Sequence, residues 1–446
     1  MKKLLNFKAL IIALGILMFP LLSFAQEAVS TVPSIGGIRL EFVLFALTLI
    51  GVAVFHNKTM YVALTGLAAI LIFKFSFDSS FNLSEHILGS EHFEGEWRTL
   101  LNLLGLLFGF AILAKHFEES GVPEVLPKFL PNDWKGGLVL LFLIMVISSF
   151  LDNIAAAMIG GTIALVVFKG KVHVGYLAAI VAASNAGGAG SVVGDTTTTL
   201  MWIDGVNPLD VTHAFVASIA GFFIFGYFGS KQQHKFQPIE ANAKEGASID
   251  YKRLFIVLMI LIGAILTNWL LDFPALGVWI AIVIGALFSK TPWYELKNAW
   301  QGTVFLMSLV TIASLMPVNE LPPASMWTAF ILGFVSAVFD NIPLTKLCLE
   351  QGGYDWGILA YSVGFGGSMI WFGSSAGVAL SNMYPEAKNT VNYISKGWHV
   401  TVAYIISFFV MIGIVGWHPH EPHKKGKNEG NQTEMPSNQT ENPVEN

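Results

Sequence analysis

Ser148-Ser149-Phe150-Leu151-Asp152-Asn153-Ile154 and Ser336-Ala337-Val338-Phe339-Asp340-Asn341-Ile342 are two copies of one pattern, each set inside a long apolar run, 137–168 and 323–351. Each run is followed by a second one that glycines interrupt. Gly187-Gly188, five residues and Gly194 break 173–203; Gly366-Gly367, five residues and Gly373 break 354–384. Two matched pairs in the same order indicate an internal duplication. Around them lie apolar segments at 38–55, 59–77, 97–115 and 208–230 in the first half. The second half adds 252–271, 274–289, 301–317 and 398–417.

Composition excludes a soluble protein. Of 446 residues 54% are hydrophobic and 12% charged, with mean hydropathy +0.62, against about 25% charged in ordinary soluble domains. Several runs reach the roughly 20 residues that cross a bilayer as a helix. A net charge of −5 leaves no basic excess, so nucleic acid is not a partner. The single cysteine, Cys348, excludes an intrachain disulfide and a cysteine-based metal site. This is an all-α polytopic membrane protein, embedded in lipid and without a resident metal or cofactor.

Five regions follow. Residues 1–25 read as a signal peptide, with Lys2, Lys3 and Lys8 before an apolar core and Ser23-Phe24-Ala25 as cleavage pattern, or as an uncleaved first helix. A first repeat covers 38–230, a polar linker 231–251 and a second repeat 252–417. The tail, 418–446, is polar and aperiodic and is expected to be disordered.

Charge orients the chain. With the mature N-terminus outside, fifteen Lys and Arg fall in inner loops, from Lys58 through the Lys231–Arg253 cluster to Lys396. The loops 78–96, 204–210, 272–273, 317–322 and 352–355 carry none. This holds only if 137–168 and 323–351 return to the side they entered. Each arm is about 15 residues or roughly 22 Å of helix, short of the roughly 30 Å hydrocarbon core. Both runs are therefore expected to be re-entrant helical hairpins with Asp152-Asn153 and Asp340-Asn341 at their tips. One enters from inside and the other from outside, so the repeats are inverted, each with a Gly-broken transmembrane helix.

Asp152, Asp195 and Asp340 lie within apolar segments, where each carboxylate costs roughly 2.5–3.5 kcal/mol to insert, so function is the default reading. A purely structural alternative is that Asp and Asn cap the second arm of each hairpin. Gly187, Gly188 and Gly194 should free backbone carbonyls beside Asp195, Thr196, Thr197 and Thr198, with Asn185 adding an amide oxygen. Such hard oxygens suit Na⁺. In the second repeat Gly366, Gly367 and Gly373 recur, with Ser368, Ser374 and Ser375 and no carboxylate, so the site is expected to be asymmetric. His116, Glu118 and Glu119 read as an exposed inner helix end, and His399 as an interface residue. An intramembrane aspartyl protease would need Gly-x-Gly-Asp; Val192-Val193-Gly194-Asp195 lacks the first glycine, and a rhomboid-like Gly-x-Ser-Gly is absent. The chain is not read as an enzyme.

These motifs, with Asn-Ala-Gly-Gly-Ala-Gly-Ser-Val-Val-Gly-Asp at 185–195, resemble the ion transporter superfamily, and most of all NhaD-type sodium/proton antiporters, over 38–417. Arsenite-exporter relatives carry Gly-Asp-Pro-Pro-Asn where this chain has Gly194-Asp195-Thr196-Thr197-Thr198. Dicarboxylate symporters carry Ser-Asn-Thr at the tips. The resemblance implies exchange of Na⁺ or Li⁺ for H⁺ by alternating access in a bacterial inner membrane, often as a dimer. It carries Ser148, Asp152, Asn153, Asn185, Asp195, Thr197, Thr198, Ser336, Asp340, Asn341 and Ser374 over as matching residues. A proton- or sodium-coupled anion carrier for dicarboxylate, citrate or arsenite is the other transport reading. Against it, Arg39, Arg98 and Arg253 are the only arginines, all at helix ends.

Overall fold

The computed structural model describes residues 33–420 apart from 36–37, 56–57, 79–80, 91–92 and 241–247. The signal segment 1–25 and the tail beyond His420 lie outside the described residues. In the first half the main helices are α1 (Leu40–Val54), α2 (Thr59–Phe77), α3 (Trp97–Glu118), α4 (Trp134–Ser148), α5 (Asn153–Val167), α6 (Val174–Ala189), α7 (Thr196–Ile203) and α8 (Ala214–Phe236). The second half supplies α9 (Tyr251–Leu271), α10 (Pro274–Gly285), α11 (Glu295–Ser314), α12 (Met326–Ser336), α13 (Asn341–Gln351), α14 (Trp356–Gly366), α15 (Ser375–Met383) and α16 (Trp398–Val415). Strands among the described residues are limited to two-residue pairs, such as Ser34–Ile35 with Ile38–Arg39. Five helical stretches, within 59–77, 97–129, 208–236, 251–271 and 398–415, are long and apolar enough to cross a membrane. The fold is an all-α polytopic membrane protein.

The four interruptions expected from sequence fall between α4 and α5, α6 and α7, α12 and α13, and α14 and α15. Each second helix starts with a side-chain cap. Asp152 Oδ1 accepts from Ile154 N (2.8 Å), Asp340 Oδ1 from Ile342 N (3.1 Å), Asp195 Oδ1 from Thr197 N (3.1 Å) and Ser374 Oγ from Gly377 N (3.3 Å). Such caps satisfy amides that the helix itself leaves open.

The chain doubles back at both Asp-Asn pairs. A Cβ on Gly160 of α5 would meet Ile144 of α4 at 2.2 Å. The far ends of these helices meet the same linker, where Ile239 covers Gly136 and Glu240 N donates to Val167 O. In the second half Gln351 Nε2 donates to Pro322 O at 2.7 Å, so the ends of 322–351 adjoin.

Two bundles result. In one, α1, α2, α3, α9, α10 and α11 pack together; in the other, α4 to α8 and α12 to α16 do. They meet chiefly where α13 lies on α11 and α7 on α3. Contacts such as Arg253–Glu119, Lys169–Glu240 and Gln233–Lys171 O gather the lysine-rich loops at one end. At the other, His86 reaches Ser314, Arg98 reaches Leu271 O and Arg39 reaches Glu320. Two details depart from the sequence boundaries. Helix α8 continues to Phe236, and the first tail residues are pinned: His418 N donates to Asp355 Oδ2 (2.9 Å) and His420 N to Tyr354 O (3.1 Å).

The paired glycines let backbones touch. A Cβ on Gly187 would lie 2.0 Å from Met145 O, and one on Gly366 would lie 2.3 Å from Gly333 O. Gly187→Val and Gly366→Val should each cost about 1–3 kcal/mol by overpacking. Thermal unfolding in detergent checks this, with Gly302→Ala as control, since a Cβ at Gly302 has nothing within 4 Å.

Candidate functional site

Most of the residues singled out by sequence converge where the two broken helices pass each other. Asn153 Nδ2 donates to Asn185 Oδ1 (3.0 Å), and Asn185 Nδ2 reaches Ser368 Oγ (2.9 Å) and Ser374 Oγ (3.2 Å). One amide thus joins the first Asp-Asn tip to the second repeat. Thr196 Oγ1 donates to Asp152 Oδ2 (3.3 Å), and its counterpart Ser375 Oγ donates to Asp340 Oδ2 (3.4 Å). Ser148 Oγ holds Ser184 O at 2.5 Å, matched by Ser336 Oγ on Val363 O at 2.6 Å. A Cβ on Gly188 would meet Gly194 O, and one on Gly367 would meet Gly373 O, both at 2.7 Å. The duplication read in the sequence is therefore repeated contact by contact.

The exceptions make the site. Asp195 is 2% exposed, and its Oδ2 has no hydrogen-bond partner; nor has the neighbouring Thr197 Oγ1. In the second repeat Ser374 replaces Asp195, and Gly364 stands where the first repeat has Asn185. A Cβ on Gly364 would lie 3.3 Å from Asp195 Oδ2, closer than an ordinary contact, so glycine lets the facing helix pass close to that oxygen. Asn341, the counterpart of Asn153, keeps an unpartnered Nδ2, because no amide stands at 364 to receive it. The result is a buried carboxylate oxygen with the Thr197 hydroxyl beside it and a glycine of the second broken helix facing it.

Thr198, expected at the site, turns its hydroxyl to the backbone instead. Its Oγ1 donates to Ser191 O (2.6 Å) and Thr199 Oγ1 to Val192 O (2.8 Å), so both close the 190–195 break rather than face the gap. A cavity of about 540 Å³ runs from Asp152, Thr196 and Thr199 between α3, α5 and α11 to Lys115, Glu118, Glu295 and Asn298 at the lysine-rich end. Asp340 does not line it.

Two sequence readings need correction. His116 is buried and faces Arg253 (3.3 Å), not exposed, and His399 is fully buried inside the helix layer. Gly364 is legible in the sequence only as part of the helix-breaking Gly364-Phe365-Gly366-Gly367 run, and Lys346 was passed over. Gly364 could have been found by aligning the repeats. Lys346 could have been found as a lysine inside an apolar run, and it is fully buried among Glu96, Asp204 and Glu350.

Broken helices that cross around buried oxygens, with a cavity reaching the neighbouring Asp152 and Thr196, define a membrane transporter. The chain matches the CitMHS family model, described as citrate transporter, over residues 7–366, and it belongs to that family. Among its relatives is "Sodium/proton antiporter 1" of Arabidopsis thaliana, 30% identical over 293 residues, 56% of this chain and 50% of the relative. This chain thus spans about half the length of that relative. "Na(+)/H(+) antiporter NhaD" of Alkalimonas amylolytica is 25% identical over 60% of this chain and 67% of its own. "Uncharacterized transporter Rv2684" of Mycobacterium tuberculosis is 25% identical over 76% and 88% respectively. These relatives bear out the resemblance to NhaD-type antiporters of the ion transporter superfamily.

If Ser148 and Ser336 are equivalent anchors, Ser148→Ala and Ser336→Ala should each cost about 0.5–1.5 kcal/mol, the worth of one net hydrogen bond. Matched shifts in detergent melting temperature are expected, and a loss confined to one of the two would break the equivalence.

Proposed function

We propose that this protein is a secondary active transporter that exchanges Na⁺ or Li⁺ for H⁺ by alternating access in a bacterial inner membrane, its mature N-terminus outside. In this reading 134–167 and 326–351 are re-entrant hairpins of two inverted repeats, 38–230 and 252–417. The bundle that contains them moves against the α1–α3 and α9–α11 bundle. One observation carries it: Asp195 is buried, its Oδ2 makes no close hydrogen bond, and the Thr197 hydroxyl lies beside the carboxyl. A carboxylate in such a place is neutralised by a proton or by a hard cation, and one oxygen cannot hold both. Competition for that oxygen is antiport with no further device. Asp152 sits at the head of the cavity and offers the route between site and cytoplasm; Asp340 is its counterpart toward the other side. The names of the sodium/proton antiporter relatives point the same way.

The family description, citrate transporter, favours a second reading, coupled anion transport. Arginine placement weighs against it. Arg39 is engaged by Glu41 and Glu320, Arg253 by Glu119, and Arg98 by Leu271 O, all at bundle ends. No guanidinium is available at the site to grip a carboxylate or arsenite oxyanion.

Asp195→Asn keeps the shape of the side chain and removes the exchangeable charge. In everted vesicles it should abolish the Na⁺-induced collapse of a proton gradient read by a pH-sensitive dye, while the protein stays inserted and melts near wild type. Full exchange in this variant would remove Asp195 from the mechanism. Citrate-induced and not Na⁺-induced dequenching in wild type would favour the anion carrier. For sidedness, single cysteines at Asn207 and Lys235 with Cys348→Ser should label from opposite faces, Asn207 from outside.

A further inference from the structure

We propose that the Lys346–Glu96 ion pair is the outer latch of the transporter, tying the hairpin-bearing bundle to the other bundle and closing the site to the outer face. The proposal rests on the alternating-access reading above.

Lys346 is fully buried, with its Nζ 2.7 Å from Glu350 Oε1, 2.9 Å from Glu96 Oε2 and 3.4 Å from Asp204 Oδ1. Lys346 and Glu350 lie on α13, and Asp204 caps the end of α7. All three belong to the bundle that holds the site. Glu96 alone belongs to the other bundle, immediately before α3. Two carboxylates of its own bundle are more than enough to neutralise one ammonium. Glu96 is surplus as a counter-ion, and what it adds is a bond across the boundary. That boundary is where α13 meets α11 and α7 meets α3, the main contact between the bundles.

The second observation is the pair of cavities on either side of this contact. The inner cavity touches Leu103 of α3 and Thr199 of α7. A second cavity, about 510 Å³, touches Glu96, Thr99, Trp202 and Asp204 at the other end. Thr99 and Leu103 are one helical turn apart, as nearly are Thr199 and Trp202, so the wall between the cavities is only about 6 Å of helix. Lys346 closes the outer edge of that wall. Cavities of similar size lie on the two sides of the interface, and the wall between them, with the Lys346–Glu96 pair bridging the bundles at its outer edge, keeps one from joining the other. A buried pair in a dry contact suits a two-state closure: it is held firmly while the faces meet, and separation exposes both charges to water at once.

The test uses the full-length protein with Cys348→Ser and Leu103→Cys as reporter, labelled by a membrane-impermeant methanethiosulfonate from either side of sealed vesicles. With the latch intact, labelling from the inner side dominates. Glu96→Gln leaves Lys346 paired with Asp204 and Glu350 and cuts only the tie. It should raise outer-side labelling by about fivefold or more, the low end of what a lost coupling between elements produces, while inner-side labelling falls. Lys346→Met would strand three carboxylates and can fail to fold, so the companion variant is the exchange Glu96→Lys with Lys346→Glu, which keeps one ammonium among three carboxylates. Labelling should return toward the wild-type pattern. Unchanged outer labelling in Glu96→Gln, an equal rise from both sides, or no restoration by the exchange would each overturn the latch. Labelling needs no transported ion, so absence of Na⁺-driven exchange would sink the antiport reading and leave this result standing.

Discussion

A helix that starts inside a membrane exposes amides that no water can satisfy, and this constraint organises the rest of the molecule. Four helices start in this way, and each is capped by a side chain one residue ahead of it: Asp152, Asp195, Asp340 and Ser374. Serine would serve for capping, as Ser374 demonstrates. A carboxylate does the same with one oxygen and has a second left over. At Asp152 and Asp340 the second oxygen accepts a hydroxyl from the partner helix, Thr196 or Ser375. At Asp195 it accepts nothing. Capping by one oxygen leaves the other available, so a capping role and the proposed ligand role of these aspartates do not exclude each other.

Much of this was legible before any coordinates. The breaks fall where Asp-Asn and Gly-Gly place them, because a charged cap and a run without Cβ atoms are strong local signals even in an apolar sequence. Asn185, Asp195 and Thr196 were legible for the same reason. Their opposite numbers were less so. Ser368 and Ser374 were flagged only by position, and their hydrogen bonds to Asn185 depend on the crossing of two helices far apart in sequence. The use of Thr198 was illegible: a threonine next to a break closes it or faces the gap according to its turn of helix. His116 was misread because a helix end is exposed only when nothing packs on it, and here Asp250, in the polar linker, and Arg253, just after it, do.

Duplication gives two equivalent half-sites, and the departures from equivalence turn them into one. Asn153 finds Asn185; Asn341 finds glycine. Asp195 faces that glycine; Ser374, its counterpart, faces Asn185. A fully symmetric site would have bridged both tips with amides and left no room, or opened both and left two buried charges side by side, each unpaired at a cost of several kcal/mol. Substituting one member of each pair leaves a single carboxylate oxygen without a close hydrogen bond, faced by glycine. The asymmetry expected from the absence of a second carboxylate thus has a steric half that composition alone does not reveal: the deleted side chain at Gly364 matters as much as the added charge at Asp195.

The remaining step joins site to bundle. The hydrogen bonds around Asn185, Asp152 and Asp340 all run between elements of one bundle, α5, α6, α7, α13 and α15 with the loops between them, and none crosses to the other. A displacement of this bundle against α3 and α11 would leave these hydrogen bonds intact, which the proposed alternating access requires. A site shared between the bundles would be torn by the same motion. Because the polar bonds of the site stay within one bundle, the interface where α13 meets α11 and α7 meets α3 is left to keep the cavities on its two sides apart.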